Sequence, residues 1–282
     1  MLRRLLTLIV LVLGLGRPLG AQQADSIEVI FFDVGQGDAV LVRSFEGRAA
    51  LIDAGRNSSI LDYLREYHVD SLDLVITSHP HEDHIGGMPT VLGMFAVAAY
   101  IDNGQRYRKG DWKLVEWVLG RMGVPRTAAR AETFALGSTS LRILPPPGMG
   151  GDTNNESVGV LLEFGKFKAL FTGDSQYEEL QYFLSLGMPT VTLMKAAHHG
   201  ARNGLIPGWA EATKPEVVVV SVGRNNSYGH PDPWVLRYYG LFAKAIYRTD
   251  VDGTVRVIGY RDGTWRVETA AVELGAAPTG RR

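Results

Sequence analysis

The sequence predicts a layered α/β protein in which β-sheets pack on one another. Short apolar segments rich in β-branched residues recur along the chain, as expected of buried strands. Helical patterns are inserted between runs of such strands without the strict alternation of a βαβ protein, which favours packed layers. No linker-like segment divides the chain, so we predict one domain over residues 26–270.

The predicted elements follow one another with turn residues between them. Apolar runs predict strands over residues 27–32, 39–43, 49–52, 72–77, 158–164, 168–171, 191–196, 217–222 and 255–258. Apolar residues at helical spacing predict helices over residues 59–67, 112–122, 176–186 and 233–242. The last helix begins at Pro233, where the missing N–H group costs little.

The composition limits the classes of function. The chain has 282 residues, of which 45% are hydrophobic and 21% charged, so disorder is excluded as its main state. It has no cysteine, which excludes disulfides, thiolate nucleophiles and cysteine metal sites. Any metal must therefore use His, Asp, Glu or backbone oxygen ligands. The net charge of -1 gives no support for tight, non-specific binding to long nucleic acid.

The N-terminal segment has the pattern of a secretory signal peptide. A basic start (Arg3, Arg4) precedes an apolar run over residues 5–15, and the small residue Ala21 follows. The run is too short for a comfortable bilayer span. We predict cleavage after residue 21, export to the periplasm or the medium, and no stable membrane span afterwards; an uncleaved anchor is the alternative. At the other end, residues 271–282 are predicted to form a flexible tail.

The histidines are clustered. Six of the seven lie in three short groups: His79, His81 and His84; His198 and His199; and His230. A loop at the end of a buried strand can aim several ligands at one point, and the first group directly follows the apolar Leu74–Ile76 segment. His79 and His81 can face one side of that loop, while Asp83 and His84 can serve a second metal. These ligands suit Zn²⁺, with Mn²⁺ or Fe as alternatives.

The stretch from His79 to Gly87 resembles the metal-binding motif of the metallo-β-lactamase-fold hydrolases. Five further segments resemble, in the same order, the hydrolase domain of ComEC-type DNA-uptake proteins: residues 32–39, 51–55, 171–174, 195–200 and 221–231. The match covers about residues 27–262, and the chain also looks like the cell-wall phosphorylcholine esterases of that fold. It contains no long channel-forming apolar segments, so we expect a stand-alone hydrolase domain.

The resemblance implies an αββα sandwich with one or two metal ions at one edge of its sheets. It implies His79 and His81 on one ion and Asp83 and His84 on the other. Asp174 would bridge the two ions. One histidine of the next pair would complete the second site, and we favour His199 as the ligand, with His198 beside it.

The chain departs from the wider superfamily between the first cluster and Asp174. No histidine occurs between His84 and His198, where most members have one. The segment that would supply it contains Asn154, Asn155 and Ser157, as ComEC-type members often do, so we expect a weaker oxygen ligand, an open position or contacts behind the ligands. The number of bound ions stays open.

Other polar residues are further candidates. His230 is predicted to donate a proton to a leaving oxygen or to bind a phosphate oxygen, the alternative being a structural loop histidine. Lys195 is predicted to bind an anion, the alternative being a solvated or capping lysine. Asp33, Gln36 and Asp38 lie in a Gly-rich turn that does not match a phosphate-binding loop. We expect them to shape the loop and to contact the metal ligands from behind.

The sequence therefore predicts an exported metal-dependent hydrolase. A bound metal brings the pKa of its water toward neutrality and so supplies hydroxide as the nucleophile. Asp83 could accept the proton that this water loses, or orient the water. The preferred substrate is a phosphodiester, either nucleic acid or a phosphate-linked envelope component. The mature charge of -4 (26 basic against 30 acidic residues) favours short or single-stranded nucleic acid. Alternatives are an ester, lactone or β-lactam hydrolase, or a non-catalytic module that binds DNA or a wall polymer. The oligomeric state is not indicated.

Overall fold

The computed structural model describes residues 25–105, 107, 110–148 and 150–270. The predicted signal peptide and the predicted flexible tail lie outside the described residues. In the described part of the chain, none of the helices is both long and apolar enough to cross a membrane.

The described residues form seventeen strands and eight α-helices. The strands are β1 (Ser26–Phe31), β2 (Val40–Ser44), β3 (Ala49–Ile52), β4 (Ser71–Leu72), β5 (Leu74–Ile76), β6 (Ala96–Val97), β7 (Tyr100–Asp102), β8 (Arg126–Ala128), β9 (Thr133–Leu136), β10 (Thr139–Leu144), β11 (Gly159–Phe164), β12 (Phe167–Phe171), β13 (Leu193–Lys195), β14 (Val217–Val220), β15 (Ala245–Arg248), β16 (Val255–Tyr260) and β17 (Trp265–Thr269). The helices are α1 (Ile60–Glu66), α2 (Glu82–Ile85), α3 (Met88–Met94), α4 (Asp111–Met122), α5 (Tyr177–Ser185), α6 (Trp209–Thr213), α7 (Pro233–Tyr239) and α8 (Thr249–Asp252).

Two large mixed sheets contain most of the strands. The first has the order β17-β16-β1-β2-β3-β5-β7-β8, and the second has the order β15-β14-β13-β12-β11-β10-β9. The neighbours from β3 to β8 in the first sheet are parallel, as are the neighbours from β12 to β15 in the second. The remaining pairs in both sheets are antiparallel.

The core lies between the two sheets and is closed on the outside by helices. Phe31 and Ile76 of the first sheet pack in one buried cluster with Phe171 and Val219 of the second. A second cluster joins the outer face of the first sheet to α1, α3 and α4, and a third joins the second sheet to α5, α6 and α7. Burial of apolar surface on both faces of each sheet therefore gives the layer order helix, sheet, sheet, helix, which confirms the layered α/β prediction.

The structure differs from the predicted elements at the segment that leads into His79, His81 and His84, which we call the first histidine loop. One strand was predicted over residues 72–77, but it is divided into β4 and β5 at Asp73. The backbone N–H of Asp73 donates to the Ala49 carbonyl oxygen, and its carboxylate accepts from the Ala49 N–H. These local bonds hold Asp73 at the start of β3. The short strands β6 to β8 and the helices α2 and α3 were not predicted.

The carboxyl ends of parallel strands from both sheets meet at one edge of the sandwich. Asp53 follows β3, and the first histidine loop follows β5. In the second sheet, Asp174 follows β12, and His198 and His199 follow β13. Loops at this edge therefore carry side chains from both sheets towards one place.

Candidate metal centre

The first histidine loop is held rigidly behind its ligands. The N–H of Thr77 donates to Ile101 of β7, and the N–H of Ala54 donates to the His84 carbonyl oxygen. His79 and His84 are fully buried, whereas His81 is exposed and Asp83 is half-buried. The loop therefore presents two ligands from inside the protein and two from the side of the solvent.

Asp174 reaches the same place from the second sheet. It follows a turn at Gly173, whose φ of +53° and lack of a Cβ are both required, since a Cβ would lie 2.7 Å from Cβ of Ser78. The Oδ2 atom of Asp174 lies 3.2 Å from Nε2 of His84 and 3.3 Å from Nε2 of His199. Nε2 of His79 is 4.0 Å away from it. The carboxylate of Asp174 therefore lies between the side chains of these histidines.

The pair His198–His199 lies in a tight turn after β13. Both residues have left-handed backbones, with φ of +48° and +53°. His199 is buried, and its Nδ1 donates to the Ser221 carbonyl oxygen at 2.9 Å. Its Nε2 is left facing Asp174 and, at 3.5 Å, Asp83. His198 is more exposed, and its Nε2 lies 3.9 Å from Asp174. The geometry gives His199 the inner position and His198 the outer one.

Four overlapping groups of three side chains have the spacing of metal ligands among the described residues, and two of these groups contain Asp38. Asp83, His84 and His199 form one group, and His79, His84 and Asp174 form another. Tetrahedral ligands bound about 2.0–2.1 Å from a zinc ion lie roughly 3.3 Å from one another. The separations of Asp174 Oδ2 from His84 and His199 match that value, and Nε2 of His79 lies 2.9 Å from Nδ1 of His81.

Buried atoms without hydrogen-bond partners show that the cluster fits a cation. Among the described residues, Nε2 of His84, Nε2 of His199 and Oδ1 of Asp174 are buried and make no hydrogen bond. Leaving such atoms unsatisfied is costly, and a divalent ion satisfies all three. Four buried or partly buried carboxylates (Asp38, Asp53, Asp83 and Asp174) also stand against the single ammonium group of Lys195. The residues present therefore fit a divalent metal.

The electrostatics of the cluster follow from this excess of carboxylates. Burial lowers the pKa of His84, but Asp174, Asp53 and Asp38 outweigh it and raise that pKa well above its usual value. The pKa of His199 is raised for the same reason, with burial opposed by Asp174 and Asp38. Burial raises the pKa of Asp174, yet His199 and His84 bring it well below the usual range. In the absence of metal, these histidines hold the positive charge that the site requires.

Asp38 and Lys195 form a buried ion pair behind His199. Nζ of Lys195 lies 2.6 Å from Oδ2 of Asp38, and it donates to the carbonyl oxygens of Gly173 and Ala196. The Oδ1 atom of Asp38 is 3.4 Å from Nδ1 of His199. Since the three donors of Lys195 are taken by protein acceptors, the prediction that Lys195 binds a substrate anion is wrong; Lys195 supports the ligands from behind.

The segment without a third histidine also reaches the cluster. Asn154 lines the cavity over the candidate metal ligands, and its Oδ1 is buried without a hydrogen-bond partner among the described residues. Oγ of Ser157 accepts from the Asp174 N–H and lies 3.4 Å from Nδ1 of His79. Asn155 points away, since its side chain bonds Gln176, Glu178 and Glu179 of the α5 region. Of the residues in this segment, Asn154 is thus the one that brings a possible oxygen ligand to the open cavity.

An open cavity of about 360 Å³ lies over the cluster. Eight of the predicted site residues line it: Gln36, His81, Asp83, Asn154, Asp174, His198, His199 and His230. The ring of His230 lies 5.7 Å from that of His198, and burial together with His198 and His199 lowers its pKa. His230 is therefore placed to meet a substrate above the metal ligands.

Asp33 lies away from the cluster. Its carboxylate accepts weakly from the Gly35 N–H at 3.4 Å, and its backbone bonds Tyr63 and Thr254. Asp33 therefore shapes the turn, and the expectation that it contacts metal ligands is wrong. Gln36 instead accepts from the Gly223 N–H and joins the turn to the loop before His230.

Asp53 was not among the predicted site residues. Its Oδ2 accepts hydrogen bonds from Nδ1 of His84 at 2.8 Å and from Oγ of Ser78 at 2.7 Å. Its position at the end of a predicted strand beside the histidine loop is a signal that could have found it. A carboxylate on Nδ1 leaves Nε2 free to bind a metal, so Asp53 orients the ligand His84.

Comparison with known proteins identifies the family. The metallo-beta-lactamase superfamily profile matches residues 32–224. The chain belongs to this superfamily, and its cluster of histidines and aspartates has the spacing of metal ligands. The predicted fold is confirmed, and so is the resemblance to ComEC-type proteins.

The relatives include competence proteins. The chain is 24% identical to ComE operon protein 3 of Bacillus subtilis over 253 residues, which cover 81% of this chain and 32% of that protein. It is 27% identical to Recombination protein 2 of Haemophilus influenzae over 254 residues, covering 83% of this chain and 29% of that protein. The chain thus spans about a third of the length of these relatives.

Solved structures share the fold at low sequence identity. The metallo-beta-lactamase fold protein YhfI of Bacillus subtilis has a TM-score of 0.56 and 13% identity, covering 86% of this chain and all of its own. CmlA of Streptomyces venezuelae, described as a diiron beta-hydroxylase, has a TM-score of 0.51 and 17% identity over 87% of this chain and 54% of its own. Because one fold carries different chemistries, the substrate must be argued from the site.

Proposed function

We propose that the protein is an exported, metal-dependent phosphodiesterase acting on nucleic acid or on a phosphate-linked component of the cell envelope. The observation that carries the proposal is the Asp174-centred cluster on the floor of an open cavity, with buried nitrogens of His84 and His199 that make no hydrogen bond among the described residues. Two relatives, named ComE operon protein 3 and Recombination protein 2, support a nucleic-acid substrate.

The site residues divide into two sets of ligands. Asp83, His84 and His199 would hold one ion, and His79 with His81 would hold the other, with Asp174 between them. The first of these sets is complete, whereas the second has only the Asn154 oxygen where most of the superfamily has a histidine. A bound divalent ion supplies a Lewis acid that acidifies water and polarises a phosphoryl oxygen. We favour zinc for this donor set.

The chain's own groups orient the reactants. Burial raises the pKa of Asp83, but His199 and His84 bring it far below the usual value, so Asp83 is ionised and can accept a hydrogen bond from an attacking water. His230 lies across the same cavity and can donate a hydrogen bond to a phosphoryl or leaving oxygen. The buried Asp38–Lys195 pair and Asp53 keep the histidine ligands in place.

Ester or thioester hydrolysis is the second candidate. It is favoured by a relative named hydroxyacylglutathione hydrolase in a Synechococcus strain, 28% identical over 191 residues that cover 64% of this chain. A β-lactam or lactone substrate belongs to the same class of acyl transfer. The non-catalytic binding module is disfavoured because the ligand set around Asp174 is present.

A substrate panel tests the proposal. We expect the metal-loaded protein to hydrolyse bis(p-nitrophenyl) phosphate, and Asp83→Ala to lose at least about a hundredfold in kcat, as for loss of a catalytic carboxylate. An exposed carboxylate away from the cavity, Asp62, provides the control Asp62→Ala. Hydrolysis of a thioester or nitrocefin with no phosphodiesterase activity would overturn the proposal in favour of acyl transfer.

Export is proposed from residues 1–21 alone. Mass spectrometry of the protein recovered from its native host tests it. A mature chain that begins after residue 21 in the periplasmic or extracellular fraction is expected. An intact chain retained in the cytoplasm would contradict export.

A further inference from the structure

A second cavity adjoins the cavity that lies over the candidate metal ligands. It has a volume of about 380 Å³ and shares three lining residues with the first cavity: Gln36, Arg56 and Tyr228. Asn57 and Asn226 also line it. We call the passage formed by these five residues the side groove. The side groove leads from the candidate metal ligands along the turn that contains Gln36. It provides room for a part of the substrate beyond the reacting group.

The backbone of Arg56 is fixed against the histidine loop. A Cβ at Gly86 would lie 1.9 Å from the Arg56 carbonyl oxygen, so only glycine permits this contact. The N–H of Gly87 donates to Gly55 on the same segment. The side chain of Arg56 is 41% exposed at the groove, and its contact with Glu82, at 3.4 Å, lies in solvent. Because exposed pairs are weak, a phosphate can replace Glu82 as the partner of Arg56.

Tyr228 provides an exposed aromatic ring in the same groove. It is 60% exposed and stacks on His230, with ring centres 5.9 Å apart and an angle of 17° between the planes. Asn226 holds the loop, since its Oδ1 accepts from the N–H groups of Tyr228 and His230. The ring is therefore a held platform, of the kind on which single-stranded nucleic acids stack their bases.

We propose that the side groove binds the nucleotide next to the scissile phosphodiester of a single-stranded nucleic acid, with Arg56 on its phosphate and Tyr228 against its base. This inference rests on the proposed phosphodiesterase function. A phosphate-binding guanidinium and an exposed ring in one groove match the two parts of a nucleotide. A wall polymer of polyol phosphates offers phosphate but no flat ring for Tyr228 to stack on.

Binding of an oligonucleotide tests the groove without turnover. The probe is a fluorescein-labelled, phosphorothioate-linked hexathymidylate, and its anisotropy is measured with metal-loaded protein. We expect Tyr228→Ala and Arg56→Gln each to weaken binding about five- to fiftyfold. Tyr228→Phe keeps the ring, and Arg65→Gln makes the same charge change on α1, so both should bind like the wild type. Glu82→Gln removes the competing carboxylate and should tighten binding a few-fold.

Steady-state kinetics distinguish substrate binding in the side groove from catalysis at the candidate metal ligands. For an unmodified oligonucleotide, Tyr228→Ala should raise KM with little change in kcat. Unchanged oligonucleotide binding in Tyr228→Ala and Arg56→Gln would overturn the proposal. Tighter wild-type binding to poly(glycerol phosphate) than to hexathymidylate would overturn it as well. If the wild type binds the oligonucleotide through Tyr228 but hydrolyses no bis(p-nitrophenyl) phosphate, the groove binds nucleotides, but the proposed function fails and with it the position of the groove next to a scissile phosphodiester.

Discussion

At the scale of single residues, Asp53 connects the end of β3 to the ligand His84. Its Oδ1 accepts from the Ser78 N–H, and its Oδ2 accepts from both Ser78 Oγ and His84 Nδ1. The carboxylate therefore fixes the tautomer and the direction of the His84 ring, and Nε2 faces Asp174. This orientation of the His84 ring does not depend on contact with a substrate.

Asp53→Asn should weaken metal binding. The amide can offer an N–H to Nδ1 of His84, which disturbs the tautomer that leaves Nε2 as a ligand. Removal of such a supporting carboxylate lowers metal affinity about 10- to 100-fold. Competition with a chromophoric chelator measures the zinc Kd, and the exposed Asp62→Asn is the control. An unchanged Kd in Asp53→Asn would contradict this role.

Lys195→Met should destabilise the fold. It leaves the buried Asp38 carboxylate without its ammonium partner at 2.6 Å, and breaking a buried pair in this way costs about 3–5 kcal/mol. Urea unfolding of the metal-free protein measures the loss. The double variant Lys195→Met with Asp38→Asn should recover part of it, because no unpaired charge remains. If the double variant is as unstable as the sum of the two single variants, the ion pair is not the cause.

The sequence indicated the candidate metal ligands better than the residues behind them. His79, His84 and His199 were predicted as ligands because histidines are few and clustered. Asp53 was missed because its bond to His84 crosses 31 positions and exists only once β3 and β5 pair. The burial of Lys195, likewise, depends on the neighbouring strand and not on its own motif.

At the scale of elements, helix α5 and the segment before β11 form one unit. Asn155 Oδ1 accepts from the Gln176 N–H at the start of α5. Glu179 Oε2 on the helix accepts from Oγ of Ser175 at 2.6 Å and from the N–H of Ser157 at 3.3 Å. The same unit holds Asp174 in place, since Ser157 Oγ accepts from the Asp174 N–H.

Glu179 should make stability depend on pH. Burial raises its pKa to about 9, from an ordinary value near 4.5. Between these values the folded state holds a proton that the unfolded state has lost, so stability falls as pH rises, by up to about 1.4 kcal/mol per pH unit. Urea unfolding at pH 5 to 8 should show the wild type losing stability relative to Glu179→Gln. The exposed Glu178→Gln is the control, and parallel curves for wild type and Glu179→Gln would contradict the assignment.

The elements with strong apolar runs were predicted, and those without were not. Strands β1, β3, β11, β12 and β14 lie close to their predicted ranges because both faces of each sheet are buried. Strand β8, by contrast, is exposed at every residue and pairs only along the edge next to β7. Its extended conformation comes from pairing with a neighbour, which local hydrophobicity does not reveal.

At the scale of the whole molecule, the metal site joins the two sheets. Asp83 and His84 belong to the loop after β5 of the first sheet, and Asp174 and His199 follow β12 and β13 of the second. A ligand that binds only this assembled arrangement stabilises the folded state as a whole. The layer order itself was predictable from strand runs, whereas the order of the strands was not.

Metal binding should raise the melting temperature. Zinc at a hundred times its Kd contributes about 2.7 kcal/mol, and a chain of this size gains about 2–4 °C per kcal/mol, so we expect roughly 5–11 °C. Differential scanning calorimetry with and without zinc measures the shift. His199→Ala removes one of the ligands that the second sheet contributes and should abolish most of the shift. An equal shift in His199→Ala would place the ion elsewhere.

We place metal-dependent hydrolysis at the ligand set formed by Asp83, His84 and His199. The most direct test titrates zinc into chelator-treated protein while bis(p-nitrophenyl) phosphate hydrolysis is followed. We predict no turnover without metal and a rise that is largely complete at one equivalent, because one ligand set is complete and the other lacks its histidine. Turnover that persists after chelation, or none at any zinc concentration in a folded protein, would contradict the claim.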